Sequence, residues 1–171
     1  MESLSTWDKK LFNYSSFGDT EGVISALAQG GRVTVRNPQG KTPLLVAAQK
    51  GHLNICDLLL EHGSNVSDVD PATKNTALHF AAGHGRNGLV EALLSRRAEV
   101  NPQDRIGFTP LHAACQEGHL LCVLTLLKAG ASITLPDNGG QLPIHLAAQL
   151  DRVEIVKTLL ECGCSPDTVN W

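Results

Sequence analysis

Aromatic side chains are scarce in this chain. Four Phe, two Trp and one Tyr amount to 4% of its 171 residues, too few to dominate the interior of a compact globule, so packing must fall to Leu, Ala and Gly. No run of about 18 apolar residues occurs, and no membrane-spanning helix is expected. An excess of positive charge is missing as well: 14 Lys and Arg against 17 Asp and Glu give a net charge of −3, which argues against nucleic acid as a partner. The opening Met1-Glu2-Ser3-Leu4 has neither the basic flank nor the apolar block of a secretion signal. Paired cysteines are wanting too. The five present (Cys56, Cys115, Cys122, Cys162 and Cys164) are odd in number and sit mostly at apolar positions. They read as reduced thiols of an intracellular protein, cytoplasmic or nuclear. The length suits one domain with a sizeable core.

What the chain does contain is one phrase written four times. Gly107-Phe-Thr-Pro-Leu-His-Ala-Ala-Cys115, followed by Gly118-His119, has a counterpart in Gly40-Lys-Thr-Pro-Leu-Leu-Val-Ala-Ala48 with Gly51-His52. It returns as Asn75-Thr-Ala-Leu-His-Phe-Ala-Ala82 with Gly85, and as Gly140-Gln-Leu-Pro-Ile-His-Leu-Ala-Ala148. Thr42, Thr76, Thr109 and Leu142 are 34, 33 and 33 residues apart. A fixed period of that size marks a solenoid built from one supersecondary unit. The phrase resembles the ankyrin repeat, whose frame it follows across nearly the whole chain. The resemblance implies an all-α solenoid of stacked helix-turn-helix units with protruding finger loops.

The units divide as a lead-in over residues 1–10, an N-terminal capping unit over 11–36, and repeats over 37–69, 70–103, 104–136 and 137–169. Residues 170–171 begin a further unit. The capping unit lacks the Thr-Pro start, and Lys9, Lys10, Asn13 and Ser16 give it the polar outer face that a terminal layer needs. Local chemistry is clearest in the second unit. Asn37-Pro38-Gln39-Gly40 is a turn sequence. Thr42 caps a helix with Pro43 at its first position, Gly51 ends it, and a second helix over about 53–61 aligns Leu53, Cys56, Leu59 and Leu60. The third repeat has an extra residue in its finger, within Asp70-Pro71-Ala72-Thr73-Lys74. Leu142 stands where a capping Thr is usual, a loss of roughly 1 kcal/mol if uncompensated. Gly163-Cys-Ser-Pro-Asp-Thr-Val-Asn170 parallels Gly63-Ser-Asn-Val-Ser-Asp-Val-Asp70, and the helix before it keeps a repeat-like apolar pattern without a polar cap. A longer protein that continues beyond Trp171 is expected.

Candidate chemistry is weighed against this frame. His79, His112 and His145 share one repeat position, and His52 and His119 another; the resemblance implies rings that bridge Thr and backbone groups between neighbouring layers. Residues one layer apart are too distant to share one ion, so no metal and no cofactor is expected. Cys162-Gly-Cys164 has no partner pair at zinc-ribbon spacing. Cys115 with His112 lacks a third orienting group and occupies a buried frame position, so it is not read as a nucleophile. The glycines fall at repeat turns rather than in a phosphate loop. The expectation is a protein that is not an enzyme.

Recognition is left to the positions that vary between units. In ankyrin-like stacks these are the finger tips and the exposed faces of the first helices, which line a concave groove. Transferred here, they are Arg36, Gln39, Lys41 and Lys50 in the second unit and Asn75 and His84 in the third. The fourth contributes Arg105, Ile106, Phe108 and Glu117; the fifth contributes Asn138, Gln141 and Leu150. Phe108 and Ile106 are large apolar groups near a finger tip, either anchors for a partner or packed on adjacent fingers. Arg36, Lys41, Lys50 and Arg105 against Glu117 suggest a groove that attracts an acidic segment. Leu93…Glu99-Val100-Asn101 resembles the pattern modified by an asparaginyl hydroxylase in ankyrin repeats. The function expected is protein recognition by a monomer, as part of an adaptor, scaffold or ubiquitin-ligase component. The alternatives are a stand-alone inhibitor of an enzyme such as a kinase, or the regulatory part of an enzyme whose catalytic part lies beyond residue 171.

Overall fold

The computed structural model describes residues 4–163 of the 171. Among the described residues are ten helices: α1 (Thr6–Phe17), α2 (Thr20–Ala28), α3 (Pro43–Lys50), α4 (Leu53–Glu61), α5 (Ala77–Gly83), α6 (Asn87–Ser95), α7 (Pro110–Glu117), α8 (Leu120–Lys128), α9 (Pro143–Gln149) and α10 (Val153–Glu161). Extended pairing among them is limited to an antiparallel bridge between Val69 and Thr76. The chain forms two compact units that meet in sequence at Ala77 and Leu78.

In the first unit α1 packs on α2 and α3, α3 packs on α4, and α2 touches α4. Helix α1 starts early because of a capping box. The Ser5 hydroxyl accepts the Asp8 N–H at 3.1 Å, and the Asp8 carboxylate accepts the Ser5 N–H at 2.9 Å. The stretch 1–10 set aside as a lead-in is therefore helical from Thr6 onward. Lys9 and Asn13 are exposed as a terminal layer requires, whereas Phe17, at 82% exposure, is an apolar exception to the expected polar face.

Helix α3 follows the sequence closely. Thr42 Oγ1 accepts the Leu45 N–H at 3.4 Å, Pro43 occupies the first turn, and Gly51 closes the helix at φ +81°. Leu44, Leu45, Ala47 and Ala48 are fully buried, and each such Leu contributes about 1.5–3 kcal/mol of transfer free energy. In α4 the buried set is Ile55, Cys56 and Leu59, while Leu53 and Leu60, expected on the same stripe, are only half-buried. The long finger after α4 absorbs its extra residue at the tip. Asp70 N–H donates to the Asn75 carbonyl, Lys74 N–H donates to the Asp70 carbonyl, and Lys74 adopts φ +67° to close the hairpin.

In the second unit α7 packs on α8 and α9, α6 on α8, and α10 on α9 and α8. Its core runs through Leu89, Val90, Leu93, Leu111, Leu126, Ile155 and Leu159, each at most 2% exposed. Close approach of the layers depends on small residues at the helix ends. A Cβ added to Gly85 would stand 2.6 Å from the His119 ring, and one on Gly118 would stand 2.9 Å from the Arg152 side chain. Leu142, which lacks a capping hydroxyl, is 4% exposed, and its N–H donates to His145 Nδ1 at 3.0 Å. Burial of the Leu142 side chain offsets the missing Thr hydroxyl, while the imidazole contact is the one that Thr109 makes with His112.

Candidate protein-interaction surface

Each finger hangs from one Asn or Asp at its base. Asn37 Oδ1 accepts the Gln39 and Lys41 N–H groups at 3.1 and 2.9 Å. Asp104 Oδ1 accepts Ile106 and Phe108 N–H at 2.9 Å each, and Asp137 Oδ1 accepts Gly139 and Gln141 N–H at 2.8 Å each. Asp70 Oδ1 receives the Ala72 N–H at 2.9 Å. A short carboxylate or amide folded back on its own backbone fixes a turn that water would otherwise loosen. These four residues recur at spacings of 33, 34 and 33, a sequence signal in phase with the Thr-Pro phrase. Backbone pairs complete the fingers: Asn37 N–H to the Lys41 carbonyl, Asp104 N–H to that of Phe108, and Asp137 N–H to that of Gln141.

Histidines tie the layers of the second unit together. His112 Nδ1 accepts the Thr109 N–H at 3.1 Å, so Nε2 carries the hydrogen and donates to the Gln141 carbonyl at 3.1 Å. His79 Nε2 lies 2.9 Å from the Phe108 carbonyl. Burial lowers the pKa of both rings, although the carbonyl hydrogen bonds act against that shift. The rings are neutral braces at pH 7. In the first unit His52 Nε2 reaches the Ser16 carbonyl at 3.2 Å, the bridging role expected of its position. With both nitrogens of His112 engaged, the ring is not available as a base for Cys115, which is fully buried. Burial, with Asp57 beside it, pushes the Cys56 thiol up to about 12; burial and Glu91 push Cys122 up to about 11. Among the described residues no cluster of three or more His, Cys, Asp or Glu is arranged to hold a metal ion.

The residues selected for recognition fare unequally. Arg36 Nη2 contacts Asp68 Oδ1 at 2.8 Å and Nη1 donates to the Gly40 carbonyl. Lys41 Nζ contacts Asp70 Oδ2 at 2.8 Å and Gln49 Oε1 at 3.0 Å. Burial raises the Asp70 pKa, but the Lys41 ammonium and backbone N–H groups outweigh it and hold the carboxylate below its ordinary range. Two of the four cations counted toward a positive groove are thus matched inside the first unit. Gln39 and Lys50 are exposed there, and Asn75 is half-buried at the base of its finger.

In the second unit Phe108 does not project as an anchor. Its ring stacks on His112 at 5.3 Å, and its backbone is bound at both ends. Ile106, two residues earlier, is 54% exposed. Asn138 N–H donates to the Ile106 carbonyl and Asn138 Nδ2 to that of Arg105, so Asn138 joins two fingers. Gln141, Glu117 and His84 are exposed, the last with Nδ1 on the Phe80 carbonyl, and Leu150 is 45% exposed at the end of α9. Asn101 is also engaged: its Oδ1 accepts the Ser132 N–H at 2.8 Å.

The model of the family described as "Ankyrin repeats (3 copies)" matches residues 11–104 and 86–170. The chain belongs to the ankyrin-repeat family. Its fold class is the all-α ankyrin solenoid, and ankyrin repeats bind other proteins. Similar proteins include the probable E3 ubiquitin-protein ligase XBOS34 of Oryza sativa subsp. japonica, 34% identical over 93 residues, which are 53% of this chain and 18% of that protein. Ankyrin repeat and SOCS box protein 6 of Homo sapiens is 43% identical over 63 residues, 37% of this chain and 15% of its own length. The ankyrin repeat and KH domain-containing protein mask of Drosophila melanogaster is 36% identical over 94 residues, 54% of this chain and 2% of its own. The chain thus spans less than a fifth of the length of each, and the likeness lies in the ankyrin repeats.

Proposed function

We propose that this ankyrin chain recruits a partner protein through its finger tips and the exposed ends of its first helices, as the recognition part of an adaptor, scaffold or ubiquitin-ligase assembly. The observation that carries the reading is Ile106. It is a half-exposed apolar side chain on a finger whose backbone is held by Asp104, Asn138 and a closing hydrogen bond to Phe108. A side chain presented by an already ordered loop loses little entropy on contact, so apolar area there translates efficiently into affinity. The internal pairing of Arg36 and Lys41 favours an apolar contact over charge attraction, and an acidic segment is a lesser determinant of partner choice. The names of the similar proteins, a ubiquitin-protein ligase and an ankyrin repeat and SOCS box protein among them, support an assembly role.

Affinity capture from a cell lysate tests this, with Ile106→Glu compared against Leu121→Glu, a substitution at a 67% exposed position on α8. Proteins quantified by mass spectrometry should be lost at least ten-fold with the first variant and retained with the second. A partner retained equally by both would remove the finger tip from the mechanism. Charge reversal of Lys50 reads the lesser contribution, and its effect should fade as salt is raised.

A further inference from the structure

Within the first unit a cavity of about 630 Å³ opens beside the finger that Asn37 holds. Leu4, Val35 and Pro38 give it apolar walls, and Arg32 and Arg36 line it as well. Val35 is buried, Leu4 is half-buried and Pro38 is exposed.

The arginines decide what the cavity can take, because both are held by their edges. Arg32 Nη2 donates to the Asp8 carboxylate at 2.9 Å. Arg36 donates through Nη2 to Asp68 Oδ1 and through Nη1 to the Gly40 carbonyl, each at 2.8 Å. Hydrogen bonds leave a guanidinium in its own plane, so they consume edges and spare faces. The two side chains still keep 46% and 47% of their surface exposed. What they bring to the cavity is therefore planar cationic surface. Their charge is already answered by Asp8 and Asp68, whose carboxylates would repel an incoming anion. An aromatic ring meets no such opposition. It carries a quadrupole rather than a net charge, and it stacks on a guanidinium face while the edge stays bound to a carboxylate.

The backbone of the finger disfavours an extended segment as occupant. Asn138, one residue after Asp137, donates its N–H to the Ile106 carbonyl and so joins one finger to another. Pro38 stands at the same place after Asn37 and has no N–H to give. We propose that this cavity binds an aromatic side chain, tryptophan above all, carried by a partner polypeptide and seated on Val35 and Pro38 against the faces of Arg32 and Arg36. The cavity is wider than one ring and open to solvent, which suits a side chain tethered to its own backbone rather than an enclosed free molecule. The site uses none of the residues that hold Ile106 and stands independently of that contact.

The test titrates the 171-residue chain with acetyl-Gly-Trp-Gly-amide, with its Leu and Glu counterparts and with free indole. Nuclear magnetic resonance of the Val35 methyl groups and the arginine Nε–H groups follows binding. The Trp peptide should bind about five-fold more tightly than the other probes and move the Val35 and Arg36 signals upfield by its ring current. Arg36→Lys keeps a cation for Asp68 and removes the plane, so it should weaken the Trp peptide about two- to five-fold. Pro38→Ser, at an exposed position, should cause a comparable loss, and it carries the test if Arg36→Lys melts early. Ile106→Glu should change nothing. Preference for the Glu peptide would make this an anion site, and equal binding of the Leu peptide would make it merely apolar. Indole binding as tightly as the Trp peptide would make it a small-molecule site. Each of these results would overturn the proposal, as would full affinity in both variants, a loss with Ile106→Glu, or unmoved Val35 and Arg36 signals.

Discussion

Asp8 is the least conspicuous acidic residue in the chain and one of the most committed. It is fully buried, receives N–H groups from Ser5 and Arg32, and contacts the Arg32 guanidinium at 2.9 Å. Burial alone would raise its pKa, but the Arg32 side chain, the Arg32 and Ser5 backbone groups and the Ser5 hydroxyl together hold it far below the ordinary carboxylate range. Asp8→Asn should destabilise the chain by about 1–3 kcal/mol at pH 7, measured by urea denaturation. The difference from the parent should shrink as the pH falls well below 4, where the parent approaches protonation of the same group. The Ser5-Thr-Trp-Asp8 spacing carries the capping half of this arrangement, but nothing in the sequence announces the contact with Arg32. The partner lies 24 residues away, across a helix, and the capping unit departs from the repeat frame at the place where the frame would have helped. Ile106 and Phe108 make the same point for the surface. Both are apolar and adjacent to the same glycine, yet Phe108 is half-buried with its ring stacked on His112 while Ile106 is 54% exposed.

At the scale of elements, the repeat phrase made most of the helices legible. Thr-Pro starts, glycine ends and buried alanines are local requirements of each helix pair, so they survive in the residue order itself. Leu142 shows where that local reading fails. As a missing cap it promised a loss, yet its side chain is buried and its N–H finds His145. Leu142→Thr would regain a cap contribution of about 1 kcal/mol and forfeit burial of about 1.5–3 kcal/mol. The melting temperature should therefore fall or stay level; a rise would mean that the capping hydroxyl outweighs the packing. Finger chemistry was half legible. The turn residues were read, but the electrostatic pairs Arg36–Asp68 and Lys41–Asp70 join successive fingers. Long-range charge pairing has no signature in periodicity, so the residue order alone presents those cations as open to a partner.

For the molecule as a whole, loss of stability in acid should come in two stages. His79 and His112 have folded pKa values lowered by burial, so their neutral forms stabilise the fold fully above the ordinary imidazole value near 6.5. That contribution declines as the pH falls through 6.5 toward the lowered values, because the unfolded chain takes up protons first. Asp8 and Asp70, whose folded pKa values are also lowered, add a second decline that begins below about 4. Urea midpoints measured from pH 8 to pH 3 should trace both stages. Replacing His79 and His112 together by Gln should flatten the upper one and leave the lower one in place; an unaltered upper decline would assign it to other groups.

Lys74 carries a consequence for how such a chain can change length. The surplus residue of its finger is accommodated by one left-handed backbone angle at the tip, inside the hairpin that Asp70 and Asn75 close. Length is therefore counted along the helices and forgiven between Pro71 and Lys74. A short polar insertion there should leave the packing of α3 on α4 intact, whereas the same insertion inside α3 would turn its following apolar contacts away from α1 and α4. Novel binding determinants in this protein have a natural place to be grafted, and it is the finger that has already grown once.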